Sequence, residues 1–282
     1  MIALKGAEVS AKIKEQVQKK LERLDGRVPR LAIVRVGERP DDLSYERGAI
    51  KKMKAFGLDA QVYAYPETIG SEEFLAAFAQ INADPAVTGI LLLRPLPAQI
   101  DGKAVERRID PDKDLDGISP VSIAHVFAAD EDGFAPCTAE AVIEVLKAYD
   151  IPISGKRVTI VGRSLVVGKP LAMLMLKENA TVTVCHTRTR DLEETCRNAE
   201  ILVAAAGRAR MLDERSVGNG AVVIDVGINV DAEGRLCGDV DYERIQERAA
   251  AATPVPGGVG AVTTAVLARH LADAALRQEG RA

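Results

Sequence analysis

The sequence lacks the residue patterns that carry most metal and nucleophile chemistry. Its four cysteines, Cys137, Cys185, Cys196 and Cys237, stand far apart with no CxxC pair. Neither a zinc site nor a disulfide framework is indicated, and they read as reduced thiols. The three histidines, His125, His186 and His270, have no metal-ligand spacing and no carboxylate cluster beside them, so no metal is expected. There is no Gly-x-Ser-x-Gly elbow, the signature of one large class of covalent acyl transfer. An excess of positive charge is also missing: 37 Lys and Arg against 41 Asp and Glu give a net charge of −4. Nonspecific nucleic-acid binding depends on clustered cations, so no nucleic-acid partner is expected. No apolar run approaches the roughly 20 residues that cross a bilayer, and Met1 to Gly6 lack the basic-then-apolar layout of a signal peptide. A soluble, cytoplasmic protein with no membrane partner is the expectation. No internal repeat or low-complexity segment interrupts the chain.

What is present suits two α/β domains. With 282 residues and 47% hydrophobic content, the chain can bury a substantial core, and its length favours two domains of ordinary size. Apolar residues at helical spacing over 7–24 precede a strand at 31–36. A helix over 42–56, a strand near 60–65, a helix near 71–82 and an apolar strand at 89–93 continue the alternation of a parallel sheet. Pro136-Cys137-Thr138 introduces a helix to about Tyr149, with Thr138 as its N-cap. Four strand-like runs follow at 157–162, 181–185, 200–205 and 221–226, the pattern of a second doubly wound sheet, before a final helix at 262–277.

Three segments stand out from this background. Residues 253–260 read Thr-Pro-Val-Pro-Gly-Gly-Val-Gly, a constrained loop that serves either a demanding turn or a binding surface. Asp114-Leu115-Asp116-Gly117 lies in a polar loop. Gly162-Arg163-Ser164-Leu165-Val166-Val167-Gly168-Lys169-Pro170 joins a strand to a helix, the setting in which backbone amides bind phosphate. The generic GxGxxG is not met, because Ser164 occupies its second glycine position. About 20 residues on, where NAD enzymes place a carboxylate for the ribose, the strand ends in Cys185-His186-Thr187-Arg188-Thr189-Arg190. Hydroxyls and cations without a carboxylate suit the 2′-phosphate of NADP rather than NAD; as a plain surface, the same arginines would simply be solvated.

Together the three segments resemble the FolD family, the methylenetetrahydrofolate dehydrogenase/cyclohydrolases, in collinear order over nearly the whole chain. The resemblance implies an α/β fold of two domains: a folate-binding catalytic domain from residues 1–138 plus 261–282, and an inserted Rossmann-like NAD(P)-binding domain at 139–260. It implies NADP contacts at Gly162, Arg163, Ser164, Val167, Gly168, Thr187 and Ile228, with Thr187 replacing the commoner serine. It also implies a folate site at Tyr45, Asp116, Pro256, Gly257 and Gly258, with Tyr45 and Asp116 as catalytic residues, and a homodimer. Two departures stand inside that site. The family's catalytic lysine, four residues after the tyrosine, is Ala49 here, and the glutamine that supports it is Leu93. Loss of a general acid/base typically costs ~10²–10⁴-fold, whereas hydride removal depends mainly on positioning. The sequence therefore predicts an NADP-dependent dehydrogenase of one-carbon metabolism that oxidises 5,10-methylenetetrahydrofolate, with weak or absent cyclohydrolase activity. The alternatives are the usual bifunctional enzyme, with Lys52 or another group restoring hydrolysis, and a catalytically silent folate- or nucleotide-binding protein. Lys51 and Arg94 are further candidates for that substitution.

Overall fold

The computed structural model describes residues 1–130 and 132–280; residue 131 and residues 281 and 282, the last two of the expected catalytic-domain segment, lie outside the described residues. The chain begins with β1 (Ile2–Ala3), α1 (Gly6–Leu21), β2 (Arg30–Val36), α2 (Pro40–Phe56), β3 (Asp59–Tyr65), α3 (Ser71–Ala83) and β4 (Gly89–Leu92). It continues through α4 (Gly102–Arg108), α5 (Pro120–Ala128) and α6 (Cys137–Ala148). The second half runs β5 (Arg157–Val161), α7 (Gly168–Lys177), β6 (Thr181–Cys185), α8 (Leu192–Arg197), β7 (Ile201–Ala204) and β8 (Val222–Asp225). Short strands β9 (Asn229–Val230), β10 (Leu236–Cys237) and β11 (Ala251–Ala252) precede the last helix, α9 (Val259–Gln278).

Two compact units result, one of residues Met1–Lys12 with Thr138–Thr263, the other of Ile13–Cys137 with Thr264–Ala282. β1, at the start of the chain, pairs in parallel with β11. A two-residue strand carries no periodicity that could reveal this partner.

In the unit of Ile13–Cys137 and Thr264–Ala282, β3, β2 and β4 form a parallel sheet in that order. Nearly all of β2 is buried, as a central parallel strand covered on both faces must be, and its continuous apolar run fits. Phe74 and Phe78 of α3 pack on this sheet with Val34, Ile90 and Leu92, and Phe74 meets Tyr65 edge to face at 5.5 Å. Arg35, on β2, pairs with Glu46 of α2 at 2.8 Å, tying that helix to the sheet.

The other unit holds a six-stranded sheet, order β1-β11-β8-β7-β5-β6, parallel throughout. Its core gathers Val161, Leu202, Val223, Leu212 and Ile245. The antiparallel β9–β10 hairpin, also too short to show in the pattern, lies beyond β8. In the last helix Val262, Leu267, Leu271 and Ala275 are fully buried. This helix has the length and apolar content of a membrane span, contrary to the expectation that no run would approach that length, but most of it is covered by the protein itself.

Thr138 does not cap α6. The helix already begins at Cys137, whose N–H is taken at 3.0 Å by the Asp116 carboxylate from a distant loop, so the cap comes from tertiary structure and no local signal announces it. Phe74→Ala should destabilise the protein by about 3–5 kcal/mol, read from urea unfolding, because no neighbouring group can refill the space.

Candidate functional site

The glycine loop after β5 is built by backbone contact. Gly162 has φ 139°, and a Cβ there would strike the Ala205 carbonyl, while one on Gly168 would strike the Gly162 carbonyl. Glycine is required at both places because main chain passes directly against main chain. Ser164, at the position of the generic motif's second glycine, accepts from the Val167 N–H at 3.1 Å. The serine thus closes the turn instead of opening space. α7 starts at Gly168 with no side-chain cap; Lys169 N–H bonds back to the Ser164 carbonyl at 3.0 Å and Leu171 N–H to the Val167 carbonyl at 2.9 Å, so the loop is closed by its own backbone while the positive dipole end of the helix lies at the loop. Gly162 N–H bonds the Cys185 carbonyl at 2.9 Å, which brings the loop beside the end of β6. There Thr187, Arg188 and Arg190 are exposed, as are Arg163 and Ser164. This is a donor set for an anion, and a side chain at either glycine would force apart the backbone contacts that shape the loop. The residues therefore fit a dinucleotide phosphate.

Beyond β7 and β8, two buried aspartates fix the remaining loops. Asp239 is fully buried and accepts from the N–H groups of Ala206, Gly207 and Arg208 at 2.6, 2.9 and 2.8 Å and from Asn229 Nδ2 at 2.9 Å. Asp225 accepts from the N–H groups of Gly227, Asp239 and Val240 at 2.9, 3.0 and 2.9 Å. Its own N–H donates to Thr253 Oγ1 at 2.7 Å, immediately before the Pro254–Gly260 loop. Ile228, 68% exposed, is carried on this framework with its Cδ1 beside Gly260. The residues expected to touch the cofactor and the loop bearing Pro256, Gly257 and Gly258 therefore belong to one compact unit, described apart from the unit holding Tyr45 and Asp116.

In that second unit, Asp114 sets the loop. Its buried carboxylate accepts from Ile118 N–H, Ser119 N–H and Ser122 Oγ at 2.9, 2.7 and 2.7 Å, leaving Asp116 to face α6. Burial raises Asp116 above the ordinary carboxyl range, against the lowering influence of the Cys137 N–H and of Arg94. Tyr45 lies in the second turn of α2, its ring partly exposed. Its hydroxyl is raised well above a free tyrosine, first by burial and then by Asp116 and Cys137. The structure thus brings Tyr45 and Asp116 into electrostatic contact. Ala49 is fully buried and Leu93 7% exposed, so the positions of the family's lysine and glutamine belong to the apolar core. Lys52 lies 5.4 Å over the Phe56 ring of its own helix, and burial lowers its pKa. Arg94 pairs with Glu106 at 3.2 Å.

Sequence reasoning missed Asp225, Asp239 and the buried His270. The aspartates sit 14 residues apart at the ends of unrelated segments, and only Asp225, inside the strand expected over 221–226, carried any signal. Asp239→Ala would strand four donors; the expected loss is at least about 3 kcal/mol in urea unfolding, given about 1–3 kcal/mol for each buried group left unpaired. Burial pushes Asp225 up to about 6. A carboxyl raised in the folded state contributes stability that is full below about pH 4 and lost as pH rises through about 6. Carbon NMR of labelled aspartate should show one carboxyl with a midpoint near 6 that disappears in Asp225→Asn.

Residues 4–116 match the tetrahydrofolate dehydrogenase/cyclohydrolase catalytic domain and residues 136–279 match the NAD(P)-binding domain of the same family. The bifunctional protein FolD of Alkaliphilus oremlandii is 49% identical over 273 residues, covering 96% of each chain. The solved bifunctional FolD of Campylobacter jejuni is 38% identical, with a TM-score of 0.95 and 99% of each chain covered. The Trypanosoma brucei methylenetetrahydrofolate dehydrogenase-cyclohydrolase, solved with NADP cofactor and inhibitor, is 34% identical, with a TM-score of 0.89 over 98% of this chain and 96% of that one. With both halves matched in order, the chain belongs to the tetrahydrofolate dehydrogenase/cyclohydrolase family, the FolD family.

Proposed function

We propose that this protein is a bifunctional enzyme of one-carbon metabolism, oxidising 5,10-methylenetetrahydrofolate with NADP and hydrolysing the methenyl product to 10-formyltetrahydrofolate. The observation that carries this reading is the Asp116 carboxylate held by the Cys137 N–H at the start of α6, in a chain whose full-length relatives are named bifunctional. Those relatives correct the expectation of weak or absent cyclohydrolase activity drawn from Ala49 and Leu93: the bifunctional alternative fits them better.

Asp116 can accept two N–H donors from the pterin edge, and Tyr45 offers its ring face to the fused rings. In the other unit, Pro256 and Gly257 present exposed main chain. NADP, when bound, takes up the hydride; this chain's part is to hold its phosphates with the Gly162–Gly168 loop, Arg163, Ser164, Val167 and Thr187, and to offer Ile228 as an apolar contact. The lack of a carboxylate after β6 supports NADP over NAD. For hydrolysis, Tyr45 is protonated at neutral pH as any tyrosine is; its hydroxyl is the group of this cluster placed to donate, and burial makes it a weaker acid than a free phenol. Lys52, its pKa lowered by burial, is the cation nearest in character to the family's lysine. The reading extends to a cytoplasmic homodimer, which sedimentation of the purified protein would check.

In a spectrophotometric assay, methylenetetrahydrofolate should reduce NADP with a kcat/KM at least about tenfold above that for NAD, the scale of one charge-assisted hydrogen bond. Added methenyltetrahydrofolate should decay faster than in buffer; decay at the buffer rate would sink the bifunctional reading. Tyr45→Phe should lower hydrolysis by about 10²–10⁴-fold and dehydrogenation by less, a difference read from the two assays run on one preparation.

A further inference from the structure

A histidine in the middle of the apolar helix α9 needs a reason. His270 is 3% exposed, between turns lined by Val266, Leu267, Leu271 and Ala274. Burying an imidazole among such residues is costly unless its polar atoms are bonded. Its Nδ1 lies 2.8 Å from the Leu115 carbonyl oxygen. A carbonyl only accepts, so Nδ1 carries the proton. The same oxygen takes a second bond from the Cys137 thiol at 3.2 Å, and the thiol sulfur lies 3.6 Å from Nδ1. Cys137 has a further grip on this loop, since its N–H holds Asp116 Oδ1 at 3.0 Å. The imidazole is itself oriented by Phe134, ring centroids 4.9 Å apart, and Phe134 carries the Arg277 guanidinium 4.5 Å from its centroid.

Two donors on one carbonyl fix the peptide plane between Leu115 and Asp116, and that plane sets where the Asp116 side chain starts. We propose that His270 and Cys137 are positioning residues for the Asp116 carboxylate and, through it, for the pterin edge of the folate; this rests on the folate reading given above. A purely structural histidine would behave differently. Leucine has a similar volume, suits a buried helix and removes the cost of burying the ring, so a packing role would leave folate recognition unchanged.

The test compares His270→Leu with His270→Asn, whose amide N–H takes the place of Nδ1–H. The Leu variant should raise the KM for methylenetetrahydrofolate about tenfold or more while the KM for NADP stays within about twofold, and the Asn variant should recover to within about threefold of the starting enzyme. An unchanged folate KM in a folded Leu variant, or equal impairment of the two variants, would overturn the positioning role. Should the Leu variant fail to fold, Cys137→Ala against Cys137→Ser poses the same comparison at the second donor. Absence of turnover in the unaltered protein would instead overturn the functional reading. Calorimetric binding of tetrahydrofolate then reads the same ranking of variants, and no difference among them, or no binding at all, would sink the positioning role as well.

Discussion

The cofactor-binding unit depends on carboxylates that never reach solvent. Asp225 and Asp239 between them accept seven hydrogen bonds, six from backbone amides. The loops they gather leave β7 and β8, return from β10 and precede the Pro254–Gly260 segment. Loops leaving a parallel sheet have no ladder partners of their own, and buried amides without acceptors would each be costly. One negative charge surrounded by converging N–H dipoles satisfies several at once and makes their positions interdependent. Asp225 shows the strain of the arrangement: its desolvation outweighs its three amide donors and lifts its pKa to about 6.

The same logic recurs at smaller scale in the other unit. Asp114 organises its own loop through three donors, which frees Asp116 to serve the end of α6. An anion at a helix N-terminus is stabilised by the helix dipole, so a residue expected to bind substrate is also part of the fold. Burial raises the cost of ionising both Tyr45 and Asp116, and for Tyr45 the Asp116 carboxylate adds to it. Ala49 and Leu93 are both buried in the apolar core.

Much of this was legible in the sequence because it is local. Strands β2 to β8 and helices α2, α3, α7 and α9 follow from periodicity, and their ends fall within a few residues of expectation. The glycine loop could be placed between a strand and a helix. The short strands β1, β9, β10 and β11 could not, since two residues have no period. Nor could the pairing of β1, because the partners of Ile2 and Ala3 lie some 250 residues away.

The sequence by itself determined the parallel α/β architecture and the place of the glycine loop between a strand and a helix, since each depends on residue type at short spacing. Only the tertiary structure decided which carboxylates are buried hubs and which face the site. Asp114, Asp116, Asp225 and Asp239 are alike as letters. They differ in which distant amides point at them: Ala206 and Val240 for the hubs, Cys137 for the site residue. Those amides come together only when the chain has folded, so the role of each aspartate is fixed by convergence of backbone and not by its neighbours in sequence.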